Sequence, residues 1–441
     1  MRINNPDQKK EDKDKDIDEV INVMESAEVD DVGDAVNLDD KDLVVMDADD
    51  FIQRAEDALR EENNGMNEDQ DSVDDPVEDA ALLSECEIKR DSVCSFTGHT
   101  DSVLCVAFNQ HRPLQFATGG QDDKAFLHQL TEEAPFSVSS RPLVGHQDSV
   151  CDVAFSTGGE YLATCDMNGV IKVWDTKTGE LVKTLQGPEE PEWLCWHNKN
   201  NVLFAAGNDF SVWSWSLPKG LQLPLLCGHT DLISGATMNP SGQLFITVSL
   251  DNTMKLWKLK THELVYSFKA DEHNWHEGGV VSVDCHPTTA LCVSGGRDGS
   301  VCLTNAKTHR VLCRYNHKSD NPDVNCSVEA VRFNKEFNWV VSGSMDGTVI
   351  VYDYDVNRVR QELKHNGGVV QMLWHPNNFV LVTGCLDGCI YVWDARNGRN
   401  LYTLSGHTDL LLGMDIFVRE SMLFIASVSD DKTCQIFRVR V

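Results

Sequence analysis

Long apolar runs and basic residues are both scarce in this sequence, and each shortage excludes a class of function. No stretch of about 18 apolar residues occurs, so we expect no membrane insertion. Residues 1–30 are charged throughout and lack an apolar core, so we expect no signal peptide. The sequence has 38 lysines and arginines and 70 aspartates and glutamates, which gives a net charge of −32. Such a surface repels phosphate backbones and attracts basic polypeptides, so we expect no direct binding of nucleic acid and a basic protein segment as partner.

Clustered metal ligands are also missing from the sequence. The 15 cysteines are scattered, and many lie inside apolar strand patterns, where they suit small core residues of an intracellular chain. Cys385 and Cys389 flank a turn, but no second pair of Cys or His accompanies them. No phosphate-cradling glycine loop and no isolated nucleophile stands out. We therefore expect no metal, no cofactor and no enzyme activity.

Charge divides the chain into two parts. Residues 1–90 hold 31 acidic and 10 basic side chains, whereas residues 91–441 hold 39 and 28. Residues 1–85 are poor in aromatics and cannot bury enough apolar surface to offset the entropy of ordering, which predicts a disordered acidic tail. Helical spacing around residues 17–24 and 51–59 fits either a docking helix or a transient one. The acidity of the tail fits a basic partner, or serves only solubility.

A repeat fills the rest of the chain. One complete unit has four regularly spaced members: His229, Thr247, Asp251 and Trp257. The same residue types return with the same spacings of 18, 4 and 6 residues at His365, Thr383, Asp387 and Trp393. Equivalent turn positions recur eight times, at steps of 41 to 48 residues, close to the period of a four-stranded propeller blade. The sequence predicts an all-β fold, an eight-bladed β-propeller over residues 86–441 that follows the tail of residues 1–85.

The recurring polar residues indicate structure rather than catalysis. His, a hydroxyl, Asp and Trp at these spacings can form one hydrogen-bonded chain, which a buried Asp requires. Hydrolase triads use similar residue types, but many such triads in one ring would be implausible. Several units depart from the pattern, and we expect those blades to be less tightly tied. The departures are Asn168 for the turn Asp, Gly187 for His, Ala205 for the hydroxyl, Thr304 for Trp and Val324 for His.

Gly-His and Trp-Asp pairs show which family these units resemble. Gly145-His146, Trp174-Asp175 and Gly406-His407 carry the resemblance to the WD-repeat family over roughly residues 90–441. Local segments at residues 118–126, 163–169, 191–197, 327–331 and 386–396 resemble, within it, the family of the angio-associated migratory cell protein and its yeast relative.

That resemblance implies a specific role. It implies an eight-bladed propeller whose acidic top face holds the basic N-terminal segment of a large-subunit ribosomal protein, of the universal L-sixteen family, as a dedicated chaperone during ribosome biogenesis. We expect a monomer in the cytoplasm, and also in the nucleus. The alternative is a general scaffold or signalling adaptor linked to cell migration and vessel growth.

The two ends of the repeat array are expected to close the ring. Residues 92–96 have the pattern of an outer strand without inner strands, and residues 437–441 have that of an inner strand without an outer one. Pairing them would remove an exposed strand edge, which otherwise invites aggregation.

The partner should contact the face on which the His loops and the Asp turns open. Side chains just after each His, and just before each turn Asp, are expected to point into solvent there. Most are carboxylates: Asp101, Asp148, Asp166, Glu190, Glu192, Asp231, Glu329, Asp409 and Asp430. Apolar anchors are expected beside them at Trp193, Phe210, Leu250, Met345 and Leu386, and Arg297 is the clear basic exception. Arginines of a basic peptide can pair with such carboxylates in a bidentate way.

Some of these residues also have a structural explanation. An Asp two residues after the His often accepts a backbone hydrogen bond within its own loop, which applies to Asp101, Asp148, Asp231 and Asp409. Glu192 and Glu329 have no such turn role, which favours contact with the partner. Of two neighbouring tryptophans, Trp196 is expected in the core and Trp193 is the candidate anchor.

Overall fold

Short apolar runs between turns rich in Gly, Asn and Asp form 33 β-strands in this computed structural model. The structure describes residues 91–131, 133–269, 273–318 and 324–441. The predicted disorder of the tail, its helical stretches and the domain boundary at residue 86 lie outside these residues. The strands form eight antiparallel sheets, which are the eight predicted blades.

The blades are numbered in chain order, and their strands run from the centre of the ring outwards. Blades 1 and 2 contain β2 (Val103–Phe108), β3 (Gln115–Gly120), β4 (Ala125–Leu130), β5 (Val138–Leu143), β6 (Val150–Phe155), β7 (Tyr161–Asp166), β8 (Val170–Asp175) and β9 (Leu181–Gln186). Blades 3 and 4 contain β10 (Trp193–Trp196), β11 (Val202–Ala206), β12 (Ser211–Ser216), β13 (Leu221–Gln222), β14 (Leu226–Cys227), β15 (Gly235–Met238), β16 (Leu244–Val248), β17 (Met254–Lys258) and β18 (Glu263–Phe268).

Blades 5 and 6 contain β19 (Val280–Cys285), β20 (Leu291–Gly296), β21 (Ser300–Asn305), β22 (Arg310–Asn316), β23 (Val328–Phe333), β24 (Trp339–Ser344), β25 (Thr348–Asp353) and β26 (Arg358–Lys364). Blades 7 and 8 contain β27 (Val369–Trp374), β28 (Val380–Cys385), β29 (Ile390–Asp394), β30 (Arg399–Leu404), β31 (Leu411–Arg419), β32 (Met422–Ser429), β33 (Cys434–Arg440) and, as the outer strand of blade 8, β1 (Cys94–Phe96).

The ring closes in two ways. The innermost strands contact one another in turn, from β2 through β6, β10, β15, β19, β23, β27 and β31 back to β2. At the outer edge, β1 pairs with β33, with Cys94 opposite Ile436 and Phe96 opposite Cys434. The first described strand therefore completes the last blade, as the strand patterns predicted, and covers the upper half of an edge that would otherwise be open.

Carboxylates of the innermost strands tie neighbouring blades together. Asp415 of β31 accepts a hydrogen bond from the Phe108 backbone N–H of β2 at 2.7 Å, across the closure of the ring. Asp152 does the same for Leu194 at 2.7 Å. Burial raises the pKa of both Asp152 and Asp415 to about 6, and their backbone hydrogen bonds only partly oppose this rise.

The repeated polar residues form the expected hydrogen-bonded chains. In blade 4, Trp257 Nε1 donates to Thr247 Oγ1 at 2.8 Å, and that hydroxyl lies 2.8 Å from His229 Nε2. His229 Nδ1 lies 2.9 Å from an Asp251 carboxylate oxygen. Burial lowers the pKa of His229; hydrogen bonds from His229 and Thr253 outweigh burial and lower the pKa of Asp251. The imidazole is therefore neutral and donates its Nδ1–H to a carboxylate.

Blade 7 corrects one expected contact. Trp393 Nε1 donates to Thr383 Oγ1 at 3.1 Å, and Thr383 Oγ1 lies 2.8 Å from His365 Nε2. His365 Nδ1, however, contacts the Gly347 carbonyl at 3.1 Å rather than Asp387. The Asp387 carboxylate instead accepts a hydrogen bond from the Tyr391 hydroxyl at 3.0 Å. The hydrogen-bonded series of blade 7 therefore ends at His365 and does not include Asp387.

Blade 6 corrects another expectation. His317, not the position of Val324, fills the His role, with Nε2 2.8 Å from Ser342 Oγ and Nδ1 2.8 Å from Thr348 Oγ1. His317 lies eleven residues before Val328, the first residue of β23, whereas His276 lies four residues before Val280 of β19, so the spacing from His to hydroxyl is 25 residues instead of 18. Blade 6 therefore has a contact between His and a hydroxyl, although the sequence spacing had predicted none.

Candidate partner-binding face

Two sets of loops open on one face of the ring, which we call the upper face. They are the connections from each outer strand to the next blade and the turns between the second and third strands. The backbone joins them directly, since Leu250 N–H donates to the Leu232 carbonyl at 2.9 Å and Met345 N–H to the Ser327 carbonyl at 3.0 Å. The same bond forms at Leu386, 2.9 Å from the Gly368 carbonyl.

A ring of side chains follows from that bond, because the residue that makes it precedes each turn. We call these positions the rim: Gln121, Met167, Leu250, Arg297, Met345, Leu386 and Asp430. All are at least partly exposed. Leu250, Met345, Leu386 and Asp430 thus lie on the predicted face, together with the one predicted cation. Met167 and Gln121 were missed, although aligning every turn by its spacing would have found them.

Asp166 does not face solvent, which corrects the prediction for blade 2. Its side chain is buried, lies 2.8 Å from His146 Nδ1 and accepts the Val170 backbone N–H at 2.9 Å. With Asn168 at the usual turn position, the carboxylate at the end of β7 takes over the buried role. The exposed residue at this point is Met167, which is 37% accessible.

Glu329 occupies a β-bulge at the upper end of an innermost strand. The register shifts at the same point in six blades, and the extra residue is Leu104, Cys151, Val281, Glu329, Val370 or Leu412. A bulge re-aims the side chain of its extra residue, and all six are partly exposed. Glu329 is the one acid among them. It also accepts a hydrogen bond from Ser327 Oγ at 2.7 Å, a local role that the sequence did not reveal.

The aspartates two residues after the His shape their own loops. The carboxylate accepts the next backbone N–H in each case, at 3.0 Å for Asp101, 2.8 Å for Asp148, 2.8 Å for Asp231 and 2.9 Å for Asp409. Each bond uses one oxygen. The side chains remain at least partly exposed, so the structural role leaves the second oxygen available to a partner.

Blade 3 supplies the densest acidic corner of this face. Glu190 and Glu192 are exposed, and Glu190 accepts a hydrogen bond from Asn208. The pKa of Glu192 is raised, mainly because the surrounding protein partly removes this carboxylate from water and also because the negative charge of Glu190 lies nearby. Phe210 is 36% accessible. Trp193 is less available than predicted, because its indole N–H donates to the Ile233 carbonyl at 2.8 Å and part of its ring is buried.

The charge of the upper face is strongly one-sided. Among the described residues of its loops there are seventeen carboxylates and five lysines or arginines. Two of those cations are already neutralised, since Lys432 lies 3.3 Å from Asp101 and Lys124 lies 3.4 Å from Asp122. Carboxylates therefore surround the half-exposed apolar side chains of the rim, an arrangement that suits a cationic, partly apolar polypeptide.

Two other kinds of site were searched for over the described ranges. No group of three or more His, Cys, Asp or Glu side chains has the arrangement of a metal site there. Nor does this part of the chain contain a helix of the length and apolarity needed to cross a membrane.

Comparison with known proteins agrees with this architecture. The WD domain, G-beta repeat family matches residues 90–128, 137–175, 220–258, 264–305, 314–353, 357–394 and 398–438. The human angio-associated migratory cell protein is 30% identical over 367 residues, which is 79% of this chain and 80% of that one. The chain belongs to the WD-repeat family, in the group of the angio-associated migratory cell protein. The family match omits residues 176–219, where blade 3 lacks the usual His and hydroxyl.

One relative of this WD-repeat protein is named as a ribosome assembly protein. Ribosome assembly protein SQT1 of Saccharomyces cerevisiae is 26% identical over 367 residues, 78% of this chain and 83% of that one. The crystal structure of that yeast protein superposes with a TM-score of 0.74 at 22% identity, covering 80% of this chain and all of the other. Chaetomium thermophilum Sqt1 bound to the N-terminus of the ribosomal protein L10 gives 0.71 at 23% identity, again over 80% and 100%. These structures share the fold.

Proposed function

We propose that this WD-repeat protein is a non-enzymatic chaperone that holds the basic N-terminal segment of a large-subunit ribosomal protein on its upper face during ribosome biogenesis. The observation that carries the proposal is the acidic upper face, with seventeen loop carboxylates against five cations. Support comes from the relatives, one named as a ribosome assembly protein and one crystallised with the N-terminus of ribosomal protein L10. A client of the universal L-sixteen family, and action in the cytoplasm and also in the nucleus, are part of the proposal.

The proposed mechanism is electrostatic capture followed by apolar anchoring. Lysines and arginines of the client would be drawn to the carboxylates, and the pairs form at an accelerated rate because unlike charges steer the encounter. Met167, Leu250, Met345 and Leu386 would then receive apolar side chains of the client at the rim. A cationic segment held in this way is shielded from RNA until it is delivered.

Glu192 and Glu329 are the carboxylates to test first. Glu192 lies in the acidic corner of blade 3, and Glu329 lies at the bulge of blade 6. The two residues are therefore on different sides of the upper face. The probe is a fluorescent peptide with the sequence of the N-terminal segment of ribosomal protein L10, and the readout is its anisotropy with the full chain. Replacing both glutamates by lysine should weaken binding by about 100-fold, since each reversal costs on the order of 1–2 kcal/mol.

The matched control reverses two exposed glutamates on the opposite face of the ring, Glu160 and Glu180. That variant should bind the peptide with the affinity of the unchanged protein. Binding should also weaken as salt rises, because the charges are solvent-exposed. Unchanged affinity of the Glu192 and Glu329 variant would refute the site.

Affinity purification from cytosol followed by mass spectrometry separates this function from a general scaffold. Strong enrichment of one newly made basic ribosomal protein is the expected result. Recovery of many unrelated acidic or neutral proteins, without a ribosomal protein, would favour the scaffold.

A further inference from the structure

The face opposite the upper face has a different electrostatic character. Its loops connect the first strand to the second in each blade, and the third to the fourth in blades 1 to 7. Across blades 3 to 5 these loops and the adjoining strand ends carry six basic side chains, which we call the basic sector: Lys199, Lys219, Lys258, Lys260, Lys307 and Arg310. Glu263, opposite Lys258 in the strand register, is the one acid in these same loops and strand ends.

Packing makes the basic sector one continuous surface. Asn198 Nδ2 donates to the Asn239 carbonyl at 3.0 Å, and His197 Nε2 lies 3.0 Å from the Gly242 carbonyl, which joins blade 3 to blade 4. His309 stacks on Tyr266 with ring centroids 4.4 Å apart, which joins blade 4 to blade 5. The cations therefore add to one local field rather than acting as scattered surface charges.

Ion pairs hold two basic residues of the lower face in blades 6 and 7. In blade 7, Arg396 lies 2.7 Å from Asp394, and in blade 6, Arg360 lies 2.6 Å from Asp353. The six cations of the basic sector accompany one acid, Glu263, in the same loops and strand ends, which leaves an excess of positive charge there.

We propose that the acidic N-terminal segment of this same chain docks on the basic sector, with residues 30–50 as the main contact. That stretch contains nine aspartates and a single lysine. The described chain begins at Asp91, whose backbone N–H donates to the Ser405 carbonyl beside blade 8. Segment and surface are thus tethered and opposite in charge.

The reach of the chain permits this contact. A folded body of about 350 residues has a radius of gyration of roughly 20 Å and so spans roughly 50 Å. The 40 residues between the acidic stretch and Asp91 can span at most about 130–140 Å when fully extended, which exceeds the width of the body. Tethering at this length gives an effective concentration on the order of millimolar, which a free competitor rarely matches.

The same tether favours the tail over RNA as occupant. Phosphates would also complement the lysines, but a protein with a net charge of −32 repels a polyanion at long range. A docked tail would cover the basic sector and keep polyanions away from a protein whose other face is acidic. This inference concerns the lower face and does not depend on the function proposed for the upper one.

Zero-length carbodiimide cross-linking of the full chain, followed by mass spectrometry, tests the contact. Links should join residues 30–50 to Lys219, Lys258, Lys260 and Lys307, at about ten times the yield of links to Lys124 and Lys335, and should fade between about 50 and 500 mM NaCl. An equal mixture of ¹⁴N and ¹⁵N protein shows whether each link lies within one chain. Full-length protein with Lys258→Glu, Lys260→Glu and Lys307→Glu should lose about 90% of the links.

The control carries Lys177→Glu, Lys335→Glu and Arg419→Glu, three exposed cations elsewhere on the lower face, and should keep the links. Three outcomes would overturn the proposal. Links could spread evenly over all lysines, or they could join different chains, which would make a second copy the occupant. A labelled single-stranded RNA could also bind the full chain in a manner that the triple reversal abolishes while the tail forms no links, which would make RNA the occupant.

Discussion

Replacing Thr247 by valine removes one buried hydroxyl at nearly constant volume. That hydroxyl is fully buried, accepts a hydrogen bond from Trp257 Nε1 and donates to His229 Nε2, both at 2.8 Å. The variant leaves an indole N–H and an imidazole nitrogen without partners. Each unsatisfied buried group costs about 1–3 kcal/mol, so we expect a loss of about 3 kcal/mol in the free energy of unfolding.

The expected shift of the melting temperature follows from the size of the body. An unfolding entropy of about 2.1 cal/mol/K per residue over ~350 residues gives roughly 0.7 kcal/mol/K, so 3 kcal/mol corresponds to about 4 °C. Differential scanning calorimetry measures this directly. Thr383→Val in blade 7 should cost less, because His365 there is not tied to a carboxylate and the chain of hydrogen bonds is shorter.

Thr237→Val is the matched control. Thr237 lies half-buried on β15, and its hydroxyl makes no hydrogen bond in the structure. We expect a change within about 0.5 kcal/mol, or under 1 °C. A Thr247 variant that melts within 1 °C of the Thr237 variant would refute the idea that these hydrogen-bonded chains stabilise the blades.

Two further predictions concern pH and ring closure. Because burial raises the pKa of Asp415 to about 6, ionisation of this group destabilises the fold as pH rises from about 4 through 6, by about 3 kcal/mol in all. In urea unfolding, the free energy of unfolding of Asp415→Asn, taken relative to that of the unchanged protein, should therefore rise by about 3 kcal/mol between about pH 4 and pH 8. A difference that is independent of pH would contradict this. Removing residues 1–80 should leave the melting temperature unchanged, whereas removing residues 1–97 deletes β1 and the packing of Phe96 on Phe126 and His128, for a loss of about 5 °C. Equal melting temperatures for the two truncations would contradict the role of β1 in closure.

The periodic residues were sufficient to predict the architecture. The chain of Trp257, Thr247, His229 and Asp251 follows from spacing alone, because strands and tight turns of constant length bring fixed sequence separations together. The closing strand was also predictable, since residues 92–96 had the pattern of an outer strand and the last unit lacked one. The face on which the His loops and the Asp turns open followed from the same logic, whereas its use for binding a partner remains a proposal.

Local rearrangements limited the prediction of individual residues. Spacing assigned the turn role of blade 2 to Asn168 and left Asp166 for the surface, but a carboxylate two residues earlier reaches the same imidazole and is buried there. Spacing likewise missed His317, because a longer segment between this His and β23 changes the sequence separation without changing the contact in space.

The sequence by itself determined the number of blades, their common skeleton and an excess of negative charge. The tertiary structure alone decided how that charge is distributed, with carboxylates around the rim and lysines gathered under blades 3 to 5. The physical reason is that each blade places alternate loops on opposite faces, and closure of the ring brings loops of distant sequence side by side. Composition adds charges over the whole chain, whereas a partner is attracted by the field of one face.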